Sequence, residues 1–274
     1  MKKTILFLLT VCLTFLCAGA AHAQDLRVDF YNVGKADAML ITTPQGQRVL
    51  IDAATNAEGK KLAKRLAQEG IEAIDLLIIT HFDKDHVGGA DQILDKMKVG
   101  QVLMPVYEKD GKQYEQFMEA LKKQKDTQLV TMKTAQKLEF DAGDVQFTVT
   151  SAKRTNYGKD EENDFSLVVR MTYGDTRFLF AGDAEKARQM EILDEGDVAC
   201  DVLKMPYHGR LTDVSPAFIA AAQPKIAFVT DSDEEPASDV VLSLLSEAGA
   251  QVYSARGGDL TVTSDGKTVR IAQE

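Results

Sequence analysis

Four potential metal ligands lie within six residues, directly after an apolar, β-branched run at 76–79 that predicts a buried strand. They are His81, Asp83, Asp85 and His86. Neutral imidazole and ionised carboxylate bind hard to borderline divalent metals. The alternative is a charged turn that caps the strand. Four ligands at this spacing favour a metal site, and we expect the glycine pair at 88–89 to let the backbone turn tightly beneath the metal.

Two later positions add ligands of the same kinds at the ends of predicted strands. Asp183 stands where the strand at 176–180 leads into a helix, so its carboxylate either bridges two cations or caps the helix. His208 follows the predicted strand at 201–204. After residues 1–23, the only histidines are His81, His86 and His208, and all three fall in these motifs.

The pattern H-x-D-x-D-H at 81–86 resembles the H-x-H-x-D-H signature of the metallo-β-lactamase superfamily, with Asp83 in place of the second histidine. Three further segments, at 34–53, 163–169 and 205–209, resemble the family motifs "VGQGDA … LIDTG", "N-x-N-S-L-V-L" and "P-H-H-G-S". Across residues 24–274, the chain is most similar to the extracellular domain of the ComEC family of DNA-uptake proteins and its free-standing secreted relatives.

This resemblance implies an α/β fold, the four-layer αββα sandwich, and two divalent metal ions, Zn²⁺ or Mn²⁺. In the family arrangement, His81 and Asp83 belong to one metal site, Asp85, His86 and His208 belong to the other, and Asp183 bridges them. Asp85 and Asp183 would be catalytic. Two such ions lower the pKa of a bridging water and clamp the oxygens of an in-line phosphoryl displacement. Because Asp83 is a harder ligand than histidine, it moves the metal preference toward manganese.

The family pattern also implies supporting residues. The carboxylate that matches Asp52 supports the metal loop from behind. The family's additional histidine is missing near 163–166, so we expect Asn163, Asp164 or Ser166 to fill that space, through direct ligation, water or substrate. Tyr207 either donates a hydrogen bond to a bound oxyanion or is a packed aromatic residue. We interpret Lys84, Lys204 and Arg210 as solvated surface residues.

The order of predicted elements agrees with a layered sandwich. A β-meander and the metal strand are followed by helices at 90–97 and 114–125, a second meander, and alternating helices and strands to a final hairpin at 260–271. Two lysines, an apolar stretch and Ala21-His22-Ala23 predict a cleaved signal peptide at 1–23. We therefore expect an exported protein, periplasmic or secreted, without a stable membrane anchor, with one domain at 24–274.

The net charge of −10 argues against general nucleic-acid binding, which requires clustered lysine and arginine. It leaves open phosphate recognition through metal ions. The resemblance implies metal-dependent phosphodiester hydrolysis through a metal-bound hydroxide, and we expect extracellular DNA or a phosphorylated wall polymer as substrate. The alternatives are hydrolysis of an amide, lactam or thioester, or a metal-loaded binding protein without turnover.

Overall fold

The computed structural model describes residues 25–158 and 162–273. The predicted signal peptide at 1–23 lies outside these residues and stays a prediction. The described chain contains fifteen strands and six α-helices. None of these helices has both the length and the apolar character required to cross a membrane.

Eight strands form the first sheet, in the order β15-β14-β1-β2-β3-β4-β5-β6. Strands β3 to β6 are parallel to one another, and the remaining pairs are antiparallel. The strands are β1 (Leu26–Phe30), β2 (Met39–Thr42), β3 (Arg48–Ile51), β4 (Ala73–Ile78), β5 (Lys98–Pro105), β6 (Gln128–Met132), β14 (Leu260–Ser264) and β15 (Val269–Gln273).

Seven strands form the second sheet, in the order β13-β12-β11-β10-β9-β8-β7. Strands β10 to β13 are parallel, and β7 to β10 form an antiparallel meander. The strands are β7 (Lys137–Ala142), β8 (Val145–Thr150), β9 (Val168–Tyr173), β10 (Thr176–Phe180), β11 (Val202–Lys204), β12 (Ile226–Val229) and β13 (Gln251–Ser254).

Helices cover the outer face of each sheet. The apolar sides of α1 to α3 pack on the first sheet, and those of α4 to α6 pack on the second. The helices are α1 (Asn56–Gln68), α2 (Ala90–Lys96), α3 (Lys112–Lys123), α4 (Lys186–Glu195), α5 (Ser215–Ala222) and α6 (Asp239–Glu247). Short 3₁₀ turns occur at Glu162–Phe165, Pro206–Gly209 and Ala255–Gly257.

A third apolar core lies between the two sheets. Its centre is Phe30, whose ring centroid is 6.0 Å from that of Phe180 and 4.9 Å from that of Phe228. Each sheet therefore buries both faces, which explains the nearly continuous apolar runs of its parallel strands. The layers are helix, sheet, sheet and helix, and the predicted αββα metallo-β-lactamase sandwich is confirmed.

Candidate metal centre

The side chains of the candidate centre come from the carboxyl ends of parallel strands in both sheets. Asp52 follows β3, the loop at 81–86 follows β4, Asp183 follows β10, and His208 follows β11. Neighbouring parallel strands end at the same edge of a sheet, where α/β folds place their binding sites. The fold thus brings together residues that lie more than one hundred positions apart in the sequence.

Two imidazoles and two carboxylates form a compact donor set. One ligand atom from each of Asp85, His86, Asp183 and His208 lies within 4.8 Å of the other three. The Nε2 atoms of His86 and His208 are 3.4 Å apart. Asp183 approaches both rings, with Oδ1 3.3 Å from His86 Nε2 and Oδ2 2.9 Å from His208 Nε2. All four residues are buried. Four buried donors of these types fit a divalent metal ion.

The outer nitrogen of each histidine is held by a neighbour. His86 Nδ1 donates to Asp52 Oδ2 at 2.8 Å, and His208 Nδ1 donates to the Thr230 carbonyl at 2.9 Å. His81 Nδ1 is 3.0 Å from Thr80 Oγ1, whose hydroxyl donates to Asp52 Oδ2. These contacts orient the rings and assign the proton to Nδ1. The Nε2 atoms therefore face inward, where each can bind a metal once it carries no proton.

Asp52 has the supporting position that the family resemblance implies. Its carboxylate accepts from the Thr80 amide and hydroxyl as well as from His86, and it is fully buried. Asp37, Asp52 and His86 also lie close enough together to suggest a second metal cluster. However, Asp37 is already paired with Lys204 and Thr230, so both carboxylates of this group are committed to protein donors.

A second, less complete position lies beside His81 and Asp83. His81 Nε2 is buried without a hydrogen-bond partner, and so is Asp183 Oδ1. His81 Nε2 is 4.0 Å from Asp83 Oδ2, and the His81 and His86 rings lie 4.1 Å apart between centroids. An unpartnered buried nitrogen beside a carboxylate fits a second cation, because such an atom otherwise loses hydration without compensation. The donors are fewer here than at the first position.

Backbone strain is concentrated at the centre. Asp52, Tyr207 and His208 have φ values of 56°, 53° and 50°, which non-glycine residues rarely adopt. The glycine pair of the metal loop serves a different purpose from the one expected. Neither Gly88 nor Gly89 has a positive φ. A Cβ on Gly89 would lie 2.2 Å from the Ala53 carbonyl oxygen, so this pair permits close backbone packing.

The electrostatics depend on burial and on the ring of carboxylates. Burial and the nearby His86 lower the pKa of His81 to about 4, so its imidazole is neutral at pH 7. Burial also acts to lower the pKa values of His86 and His208, but Asp183 and its neighbours outweigh it and raise both. The same two imidazoles hold the pKa of Asp183 well below its usual range despite burial.

Metal binding should therefore release protons. In the metal-free protein, the raised pKa values of His86 and His208 favour their protonated forms, and a metal that binds Nε2 must displace the proton. We expect release of about one to two protons for the first ion. Calorimetric titration of Zn²⁺ at pH 7 in two buffers with different ionisation enthalpies measures this number. A binding enthalpy independent of the buffer would contradict the prediction.

Lys204, which we interpreted as a solvated residue, is instead fully buried beneath the centre. Its ammonium pairs with the Asp37 carboxylate, donates to the Gly182 carbonyl at 3.0 Å, and lies 3.5 Å from Asp183 Oδ1. Burial acts to lower the pKa of Lys204, but Asp37 and Asp183 outweigh it and raise it. The interpretation was wrong because β11 is covered on both faces, so its last residue cannot reach solvent.

The segment expected to replace the missing histidine points mainly elsewhere. Asn163 donates to Glu185 at 2.7 Å, and Asp164 Oδ1 accepts from the Arg188 amide at the start of α4. Ser166 is the residue nearest the centre: its hydroxyl accepts from the Asp183 amide at 3.1 Å and lies 3.4 Å from His81 Nδ1. Ser166 therefore supports Asp183 and His81 from behind, and ligation by Asp164 gains no support from this geometry.

The helix-cap alternative for Asp183 does not hold, because the N-cap of α4 is Glu185. Tyr207 is half-buried, with the Arg210 guanidinium 5.5 Å from its ring centroid. Arg210 is 44% exposed and pairs with Glu235, and Lys84 is exposed, so the solvated interpretation agrees with the structure at these two positions.

A cavity of about 600 Å³ opens over the metal loop. Asp83 and Asp85 form part of its wall, and cationic and aromatic side chains surround them. Lys35 Nζ, also in the wall, donates to Asp85 Oδ2 at 2.7 Å. No local sequence pattern marks Lys35 or Lys109 as site residues, since each contacts the loop only through the tertiary fold.

The layered fold and its buried cluster of imidazoles and carboxylates define an αββα protein with a candidate divalent-metal centre, and a comparison with family models assigns its class. The family model described as "Metallo-beta-lactamase superfamily" matches residues 31–229 of this chain. The chain therefore belongs to the metallo-β-lactamase superfamily.

Within this superfamily, the curated relatives are ComEC-family competence proteins. ComE operon protein 3 of Bacillus subtilis (strain 168) is 28% identical over 247 residues, covering 83% of this chain and 30% of the relative. Recombination protein 2 of Haemophilus influenzae is 27% identical over 234 residues, covering 84% of this chain and 27% of the relative. The chain thus spans less than a third of the length of either protein.

Solved structures share the fold at low sequence identity. A metal-dependent hydrolase of the beta-lactamase superfamily matches with a TM-score of 0.56 and 10% identity, covering 91% of this chain and 100% of that structure. CmlA, a diiron β-hydroxylase from Streptomyces venezuelae, matches with a TM-score of 0.55 and 15% identity, covering 92% of this chain and 54% of that one.

Proposed function

We propose that this chain is an exported, dinuclear-metal-dependent phosphodiesterase. The observation that carries the proposal is the convergence of three inward-facing Nε2 atoms with the carboxylates of Asp85 and Asp183 beside an open cavity. The predicted signal peptide supports export. Zn²⁺ or Mn²⁺ fits the mixed set of imidazole and carboxylate donors.

The first ion would be held by Asp85, His86, Asp183 and His208, and the second by His81, Asp83 and Asp183. When bound, such ions polarise phosphoryl oxygens and lower the pKa of a coordinated water. Asp85 is placed to orient that water, because it borders the cavity while contacting His208 through Oδ2 at 3.5 Å. Asp183 would contribute a carboxylate oxygen to each of the two positions.

The cavity suits an anionic substrate although the chain as a whole is acidic. Four cations line it, Lys35, Lys84, Lys109 and Arg210, together with four carboxylates, Asp83, Asp85, Asp110 and Glu235. Once metal ions neutralise Asp83 and Asp85, the excess of positive charge would favour a phosphodiester over a neutral lactam or amide, because a phosphodiester is an anion. Extracellular DNA and a phosphorylated wall polymer both satisfy this requirement. The competence and recombination names of the relatives favour DNA of these two.

Hydrolysis assays with Zn²⁺ or Mn²⁺ test the proposal. The protein, freed of residues 1–23, should cleave bis(p-nitrophenyl) phosphate and single-stranded DNA, and a chelator should abolish both activities. Asp183→Asn should lower the rate by at least about 100-fold, because the charge at the centre is lost. Asp213→Asn, which removes an exposed carboxylate paired with Lys186, provides the matched control. Turnover of nitrocefin alone would contradict the proposal and favour a lactam hydrolase, and no turnover would indicate a metal-loaded binding protein.

A further inference from the structure

Lys109 joins the less complete metal position to the 3₁₀ turn at Glu162–Phe165. Its ammonium forms ion pairs with Asp83 Oδ1 and with Glu162 of the 3₁₀ turn. We propose that Lys109 sets the affinity of the second metal position by competing for the charge of Asp83. The inference rests on the two-ion centre of the proposed function.

The ion pair is partly shielded from water. The Lys109 side chain is 22% exposed, and that of Asp83 is 32% exposed. Burial acts to lower the pKa of Lys109, but its hydrogen bonds to Asp83 and Glu162 outweigh it and raise it, so the ammonium is charged at neutral pH. A permanent cation therefore lies against one oxygen of Asp83, while the other oxygen faces His81 Nε2 at 4.0 Å.

The two metal positions differ in how much this cation matters. At the first position, Asp85 also forms an ion pair with a lysine, Lys35, but two imidazoles and Asp183 complete the donor set. At the second position, the donors are His81, Asp83 and the shared Asp183. Among these described donors, Asp83 is thus the only carboxylate that the second ion does not share with the first. Lys109, which neutralises the charge of Asp83, therefore weakens metal binding at the second position more than Lys35 weakens metal binding at the first.

Electrostatic competition gives the inference its direction. A divalent ion that takes Asp83 Oδ2 is repelled by the ammonium on Oδ1, and solvent screens part of that repulsion. The coupling is reciprocal, so an ion at the second position loosens the contact of Lys109 with Asp83. Glu162 offers the displaced ammonium an alternative partner, which lowers the cost of release.

The test compares Lys109→Gln with Lys137→Gln, which removes an exposed lysine that pairs with Glu139 away from the cavity. Metal-free protein is titrated with Mn²⁺ or Zn²⁺, and each ion is counted by native mass spectrometry and calorimetry. In Lys109→Gln, the second ion should bind about fivefold more tightly, with the first ion unchanged. Lys137→Gln should differ from the wild type by less than about twofold. An unchanged or weaker second ion in Lys109→Gln would overturn the inference.

A variant of Glu162 gives the opposite sign. Glu162→Gln leaves Lys109 with Asp83 as its remaining carboxylate partner in the described structure, so the second ion should bind about twofold to threefold more weakly. Tighter binding in this variant would also overturn the inference. Failure of the inference and failure of the proposed function remain distinguishable. Phosphodiester cleavage without these affinity changes would contradict the role inferred for Lys109. Affinity changes without cleavage would contradict the proposed phosphodiesterase function.

Discussion

His208→Ala should reduce the affinity of the first metal position by at least about 100-fold, because it removes one of four converging donors. Asp183→Asn should lower affinity at both positions, since its carboxylate approaches His86 and His208 and is the proposed shared ligand of the second position. Metal content after gel filtration, measured by plasma mass spectrometry, gives the result directly.

Asp213→Asn serves again as the control, because it changes a carboxylate to an amide on the surface. Circular dichroism of each variant establishes that the fold is retained. Unchanged metal content in both folded variants, compared with wild type and control, would remove His208 and Asp183 from the metal centre.

Lys204→Met should destabilise the metal-free protein by about 3–5 kcal/mol, because it leaves the Asp37 carboxylate buried without its cation. Both residues are fully buried, and Lys204 lowers the pKa of Asp37 in opposition to burial. The double variant Lys204→Met/Asp37→Asn removes both charges and preserves an acceptor for Thr230. It should recover a substantial part of the lost stability. Urea unfolding in the presence of a chelator measures these differences.

The exposed Lys225 provides the comparison for this experiment. Its side chain is 75% exposed and pairs with Asp201, so Lys225→Met should change stability by less than about 0.5 kcal/mol. If Lys204→Met changed the stability as little as Lys225→Met, the buried pair of Lys204 and Asp37 would contribute nothing to the stability of the protein. A double variant less stable than Lys204→Met would equally contradict the account.

The fold was predictable because its strands carry strong local patterns. Apolar runs and turn residues located the metal strand, the meanders and the final hairpin. The strand Gln128–Met132 was missed, since it is a partly exposed edge strand without a clear apolar face. The helix α3 begins at Lys112, two residues before its predicted start, after a glycine that offers no side-chain cap.

The candidate metal ligands could be predicted from the sequence for a related reason. The residues at 81–86 are neighbours in sequence, and Asp183 and His208 each end a recognisable strand. Their convergence agrees with that prediction. The lysines were not accessible in this way. Lys35, Lys109 and Lys204 meet their carboxylates only after the two sheets and their loops have come together, and no local pattern distinguishes them from surface lysines.

Anomalous diffraction from crystals grown with Zn²⁺ or Mn²⁺ tests the central claim most directly. The account predicts a peak about 2.0–2.3 Å from the Nε2 atoms of His86 and His208 and from carboxylate oxygens of Asp85 and Asp183. A weaker peak should lie between His81 Nε2 and Asp83. A metal-loaded crystal in which the ion binds elsewhere, with these nitrogens and oxygens free of metal, would contradict the account.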